Sequence, residues 1–176
     1  MQLTLLRHAE VQHRFKNKYN GHNNISLSPR GKAQAKRVCQ KLNKIKFDLV
    51  FASDLKRSYQ TATYLKHPIV YTSQLREKSW GKHEGLDFDT IIAQNEIQYE
   101  NFLQWIEALD GEDYKSYIDR IKKFFFKYLP SLKKRHILII THAGVIRVFL
   151  SVLHKISLED AFSIKINYGE YIIENI

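Results

Sequence analysis

Arg7, His8, Arg57 and His142 are the side chains of this sequence that could do chemistry as a group. Arg7 and His8 follow directly on the apolar run Leu3 to Leu6, and His142 follows directly on His136 to Thr141 (HILIIT). Arg57 lies a few residues beyond the apolar run Phe47 to Ala52 (FDLVFA). A guanidinium offers a rigid fork of donors that matches phosphate oxygens. A neutral imidazole is a competent nucleophile near neutral pH. A second histidine, if protonated, would add positive charge where a phosphoryl-transfer transition state needs it. The same histidines could join Glu10 or Glu77 around a metal ion. Arg7 and Arg57 would repel a cation, however, and no H-x-x-x-H spacing occurs. The group therefore points to phosphoryl chemistry with neither metal nor cofactor.

These residues must be positioned by the elements that precede them. Leu3 to Leu6 and Phe47 to Ala52 read as strands, and Ile69 to Tyr71 as a third. HILIIT is a continuous apolar run, the pattern of a strand buried on both faces. Ser28-Pro29 reads as an N-cap and first helical residue, and Ala35, Val38, Cys39 and Leu42 follow at helical spacing. Ser53 or Asp54 is expected to cap the next helix, with Leu55, Tyr59, Ala62 and Leu65 on its inner face. Residues 87–130 read as helical, and Tyr114, Tyr117, Ile118, Ile121, Phe124, Phe125 and Tyr128 form an amphipathic stripe assigned to core packing. Ala143 to His154 reads as a helix, and Phe162 to Asn167 and Glu170 to Glu174 as two tail strands. Strands alternating with helices predict an α/β fold, a three-layer α/β/α sandwich with a mostly parallel sheet. In such sheets ligands bind beyond the carboxyl ends of the strands. That rule brings Arg7, His8, Arg57 and His142 to one rim.

Composition narrows the class. The 176 residues suit one domain, 1–176, with the helical stretch of about 87–130 as a small cap insertion. No stretch approaches the roughly 20 apolar residues of a membrane span, and the apolar run in MQLTLLRHAE is too short for a signal peptide. One cysteine, Cys39, excludes a disulfide scaffold and a Cys-rich zinc module. A cytoplasmic setting is expected. The net charge is +10, from 28 Lys+Arg against 18 Asp+Glu. Most of the excess is lysine scattered along helices, the pattern of a solvated surface rather than a nucleic-acid stripe. A phosphorylated small metabolite is the expected partner, with no membrane. The tail strands offer an edge through which a dimer could form.

Five blocks of the chain, in order, resemble the histidine phosphatase superfamily, the branch with phosphoglycerate mutases, fructose-2,6-bisphosphatases and α-ribazole phosphatases. Leu5-Leu6-Arg7-His8-Ala9-Glu10 resembles its R-H-G-E signature, continued by Tyr19-Asn20-Gly21-His22, Leu27, Gly31 and Gln34-Ala35. Ser53-Asp54-Leu55-Lys56-Arg57 with Gln60-Thr61-Ala62 resembles the second block, and Leu75-x-Glu77 with Trp80-Gly81 and Glu84-Gly85 the third. Gly111-Glu112-Asp113 with Arg120 resembles a weaker fourth, and Thr141-His142-Ala143-Gly144-Val145-Ile146-Arg147 the last. The resemblance implies that His8 is the nucleophile and forms a phosphohistidine. It implies that Arg7, Arg57 and His142 hold the phosphoryl group, and that Glu77 is general acid and then base. Ala9 departs from the family's glycine. His13-Arg14 stands where the family often has Trp-Asn, so Arg14 is a candidate phosphate contact, and Asn20 another.

Val11 stands where mutases often carry a substrate-touching serine, and no paired-arginine lid segment is present. Both favour hydrolysis of a small phosphomonoester over a phosphoglycerate mutase reaction, because an open site admits water to the phosphoenzyme. A non-catalytic phosphate- or nucleic-acid-binding module is the alternative from another class. It would not require a nucleophile and an acid. Phe88, Tyr99 and Phe102 could stack on a substrate ring or pack, and Trp105 is expected to pack.

Overall fold

A computed structural model describes residues 1–94 and 97–176. Its sheet has five strands: β1 (Gln2–Arg7), β2 (Leu49–Ser53), β3 (Val70–Thr72), β4 (His136–Thr141) and β5 (Tyr171–Asn175). They lie in the order β3-β2-β4-β1-β5. The first four run parallel, and β5 pairs antiparallel to β1 at one edge. Eight helices flank the sheet among the described residues: α1 (Pro29–Leu42), α2 (Lys56–Ala62), α3 (Phe88–Ala93), α4 (Phe102–Ala108), α5 (Tyr114–Lys123), α6 (Leu129–Ser131), α7 (Ala143–His154) and α8 (Leu158–Ser163). A π-helical turn, Phe124–Tyr128, joins α5 to α6.

Side-chain alternation along the strands builds two apolar layers. Leu6, Val50, Ala52, Leu138 and Ile140 face α1, where Val38, Cys39 and Leu42 pack on them with Ala62 of α2. Leu3, Leu5, Phe51, Ile137 and Ile139 face the other way, onto Tyr117, Ile121 and Phe125 and onto Val145 and Phe149 of α7. The result is the expected sandwich. β4 is covered on both faces because its neighbours on either side are strands and its two faces meet helices. Its unbroken apolar run follows from that.

Local chemistry sets the helix starts. The Ser28 hydroxyl accepts from the Gly31 N–H at 2.9 Å, with Pro29 at the first helical position. The helix after β2 starts differently from expectation. Leu55 is its N-cap and gives no side-chain bond. Asp54 instead takes both nitrogens of an Arg76 fork at 2.7 Å, and Ser53 turns inward.

One tail element also differs. Residues expected to form a strand over 162–167 divide between the end of α8 and a loop. Ser157 caps α8 by accepting from the Asp160 N–H at 3.0 Å, and Glu159 and Asp160 sit in its first turn, where acidic charge is favoured. The Ile164 and Ile166 carbonyls beyond it accept from the guanidinium groups of Arg147 and Arg7 instead of from a strand.

Candidate active site

The four parallel strands end on one side, and a cavity of about 440 Å³ opens there. Arg7, His8, Arg57, Glu77 and His142 all line it.

His8 is held at both ends of its backbone. Its N–H donates to the Thr141 carbonyl of the neighbouring strand at 2.9 Å, and the Ala9 N–H donates to Thr61 Oγ1 at 2.9 Å. The ring Nδ1 lies 2.9 Å from the Ala9 carbonyl, which can only accept. Nδ1 therefore carries the proton, and Nε2 keeps its lone pair. Burial, and then the charges of Arg57 and Arg7, hold the imidazole well below its ordinary range. It is neutral at physiological pH, as a nucleophile must be. Ala9 fits where the family has glycine because its backbone stays at negative φ.

Arg7, at the end of β1, donates from Nη1 to the Ile166 carbonyl at 2.6 Å and lies 3.8 Å from the centre of the Tyr168 ring. Its Nε is buried and has no hydrogen-bond partner among the described residues. A buried N–H without an acceptor is costly. An anion in the cavity would supply the acceptor.

Arg57 is 1% exposed. Its Nε donates to His142 Nδ1 at 3.2 Å, Nη1 to the Asn23 carbonyl at 3.0 Å, and Nη2 to the carbonyls of Asn20 and Gly21 at 3.1 and 2.6 Å. Of five N–H groups, one on Nη1 remains for a ligand. Burial brings its pKa down to about 10, so it stays charged.

His142 packs 5.1 Å from His8 between ring centres. Its Nδ1 accepts from Arg57, so Nε2 carries the proton and meets Ser53 Oγ at 2.9 Å. Burial and the nearby Arg57 push it well below its ordinary value. The protonated second histidine considered from sequence is thus neutral in the free site. Burial beside two guanidinium cations leaves no room for a third charge.

Glu77 occupies the opposite wall. Its Oε2 accepts from the Gly144 N–H at the start of α7 at 2.9 Å. Its Oε1 accepts from Tyr117 Oη at 2.5 Å and from the Lys78 N–H at 3.2 Å. A side chain at position 144 would put its Cβ 2.3 Å from Glu77 Oε1, so glycine is required for this approach. Glu77 makes no ion pair with its neighbours. Arg76 is taken by Asp54, and Lys78 is buried, donating to the carbonyls of Ser79 and Asp110.

The loop between wall and floor is set by Glu84. Its carboxylate accepts from the N–H groups of Gly21, His22, Asn23 and Trp80 at 3.2, 2.6, 2.8 and 3.2 Å. That fixes residues 20–23, whose carbonyls in turn hold Arg57. Asn20 lines the cavity, but its side chain is spent on the Phe15 carbonyl and on Asn23. Arg14 lies outside. It sits on an exposed 3-10 turn, 4.8 Å over the neighbouring Phe15 ring. His22 touches the Glu77 carbonyl at 3.0 Å, while His83 is buried against the Asp110 N–H and His13 is exposed. Cys39 is a core residue, its thiol pushed up to about 12 by burial.

Trp105 does more than pack. It lines the cavity with Phe88 and Phe102, its Nε1 donating to Tyr19 Oη at 2.7 Å. Tyr117, Tyr168 and Glu84 are the site residues that sequence reasoning left without a role. Tyr117 was hidden in an apolar stripe. Glu84 stood in a quoted motif without a function attached to it.

A mostly parallel sheet thus carries two arginines, two neutral histidines and a held carboxyl at its carboxyl rim, an arrangement suited to phosphoryl chemistry. The family model described as the histidine phosphatase superfamily, branch 1, matches residues 3–174. The chain belongs to that superfamily. It is 26% identical over 176 residues to the adenosylcobalamin/alpha-ribazole phosphatase of Escherichia coli, covering 96% of this chain and 87% of that one. It is 27% identical over 185 residues to phosphoserine phosphatase 1 of Hydrogenobacter thermophilus, covering 97% and 84%. The alpha-ribazole phosphatase structure from Shigella flexneri superposes with a TM-score of 0.85 at 26% identity, over 100% of this chain and 91% of that one. No helix among the described residues is long and apolar enough to cross a membrane.

Proposed function

We propose that this protein hydrolyses the phosphomonoester of a small metabolite through a phosphohistidine on His8, without a metal. The observation that carries it is the pairing of His8 Nδ1 with the Ala9 carbonyl beside the guanidinium groups of Arg7 and Arg57. That arrangement leaves the lone pair of Nε2 as the nucleophile.

The phosphoryl oxygens take the orphaned Nε of Arg7 and the spare Nη1 proton of Arg57. Nε2 attacks phosphorus, the bond from phosphorus to the alcohol oxygen breaks, and Glu77 gives that oxygen a proton. Water then attacks phosphorus while Glu77 takes its proton. The N–P bond breaks, phosphate leaves and the site is restored. Tyr117, Gly144 and Lys78 orient the carboxyl for both steps. General acid–base help of this kind contributes roughly 10²–10⁴-fold. The relatives named for alpha-ribazole and phosphoserine support a small phosphorylated substrate.

The test is hydrolysis of p-nitrophenyl phosphate in excess EDTA by wild type and His8→Ala. Activity that survives EDTA and vanishes in the variant is expected. Hydrolysis retained by His8→Ala, or abolished by EDTA, would refute the mechanism.

A further inference from the structure

Beyond the phosphoryl end, the cavity widens into a chamber walled by Tyr19, Trp80, Phe88, Phe102, Trp105 and Phe162. The rings pack against one another: Tyr19 meets Trp80 edge to face at 5.1 Å, while Phe88 lies tilted 4.8 Å from Trp105 and Phe102 tilted 5.1 Å from Phe162. Trp105 spends its only donor on Tyr19. Tyr114 is the exception among these closed contacts. It lines the same cavity, is 4% exposed, and its hydroxyl has no hydrogen-bond partner among the described residues. It stands one turn before Tyr117 on α5, their rings stacked at 6.1 Å and 22°. Tyr117 in turn bonds the carboxyl of Glu77. Tyr114 is therefore on the Glu77 side of the cavity. A buried hydroxyl left unpaired destabilises the free protein, so its retention in a cavity calls for a partner that comes with the substrate.

We propose that Tyr114 is a specificity-determining residue: its hydroxyl hydrogen-bonds a polar atom of the leaving alcohol, and the aromatic chamber selects a hydroxylated, ring-sized alcohol over a short-chain one. This rests on the phosphatase reading of the site. The chamber contributes the ring preference, since aromatic faces pack on the C–H faces of a ring and gain nothing from a small acid. Tyr114 contributes the polar requirement. A site built to pair a substrate hydroxyl discriminates against the analogue that lacks it, because its own buried group is then unpaired. Burial, followed by the charge of Glu77, raises the Tyr114 phenol well above its ordinary range, so it acts as a neutral hydroxyl throughout the working range.

The experiment compares wild type and Tyr114→Phe on ribose 5-phosphate, glucose 6-phosphate, phosphoserine and p-nitrophenyl phosphate, with thermal unfolding of both proteins. Wild type is expected to favour a sugar phosphate over phosphoserine in kcat/KM. In Tyr114→Phe, the kcat/KM ratio of that sugar phosphate to p-nitrophenyl phosphate should fall about tenfold, the worth of one hydrogen bond, mostly through KM. The thermal midpoint should not fall, since the variant removes an unpaired group. Calorimetric binding of ribose 5-phosphate to His8→Ala and to His8→Ala/Tyr114→Phe makes the same comparison without turnover. Failure of p-nitrophenyl phosphate hydrolysis in wild type would count against the phosphatase reading, while the binding comparison still decides Tyr114. Preference for phosphoserine, no binding of the sugar phosphate, an unchanged ratio as for a hydroxyl that serves an ordered water only, or an equal loss on every substrate would overturn the proposal.

Discussion

At the scale of single residues, the site divides into groups that carry charge and groups that aim it. Arg57 is charged and buried and Arg7 charged and half-buried, His8 and His142 are neutral and buried, and Glu77 is held by two backbone N–H groups and one phenol. The division sets a leaving-group test. Nitrophenolate departs without a proton, whereas an alkoxide needs one. Glu77→Gln should therefore lower kcat/KM, which reports transfer to His8, by about 10²-fold or more on an alkyl phosphomonoester and much less on p-nitrophenyl phosphate, while kcat falls on both because the water step is shared. Tyr117→Phe should show the same asymmetry at about tenfold, because it loses one bond to the carboxyl. Equal losses of kcat/KM on both substrates would mean that neither residue serves the leaving oxygen. Arg7, His8, Arg57 and His142 stood out in the sequence because each follows an apolar run, whereas Glu77 stood out only through the motif it resembles. The tyrosines did not stand out. A phenol on an amphipathic stripe has the pattern of core, and only its oxygen, aimed at a carboxyl or at nothing, marks a function.

At the scale of elements, two connections hold the site together. The first is the start of α7, which brings the Gly144 N–H to Glu77. Gly144→Ala would place a methyl against that carboxyl and the Tyr117 hydroxyl. It should leave the circular dichroism spectrum unchanged and lower kcat at least tenfold on an alkyl substrate; an unchanged kcat would mean that the carboxyl tolerates displacement. The second is the loop 20–23, which Glu84 ties by three backbone N–H groups and whose carbonyls hold Arg57. Glu84→Ala leaves those donors without an acceptor and frees the Arg57 fork. Vanadate affinity should fall about tenfold, measured as inhibition of p-nitrophenyl phosphate hydrolysis. Affinity within twofold of wild type would contradict this link. Pattern located the five strands and the helices α1 and α7, but it read 87–130 as one helical stretch where the described residues form four helices, α3 to α6. It failed at 162–167, where alternation suggested a strand, because two arginines from distant elements claim the carbonyls there. Nothing local in the sequence announces a long-range acceptor.

At the scale of the whole molecule, the sheet order decides which residues meet. β1 and β4 are neighbours, so His8 and His142 stand side by side although 134 positions apart in sequence. Keeping both neutral has a consequence for stability. Their folded pKa values lie well below the ordinary 6.5 to which unfolding returns them. Above about pH 7 both states are uncharged at these positions, and the contribution is flat. As the pH falls below about 6.5, the unfolded chain binds protons that the folded chain refuses, and stability falls by up to about 1.4 kcal/mol per pH unit for each histidine. The urea midpoint should therefore drop between about pH 7 and pH 5, and less steeply in His142→Asn. Saturating phosphate should raise the midpoint across this range, since it binds the folded site and not the unfolded chain.

The most direct test of the account is to trap the intermediate. Wild-type protein mixed with substrate, quenched in base within the first turnovers and digested, is expected to carry a phosphoryl group on the peptide containing His8. That group should be lost in acid, be absent from His8→Ala, and, with p-nitrophenyl phosphate as substrate, accumulate when Glu77→Gln slows attack by water. A phosphoryl group on any other residue, or turnover in which no phosphoenzyme forms, would contradict it.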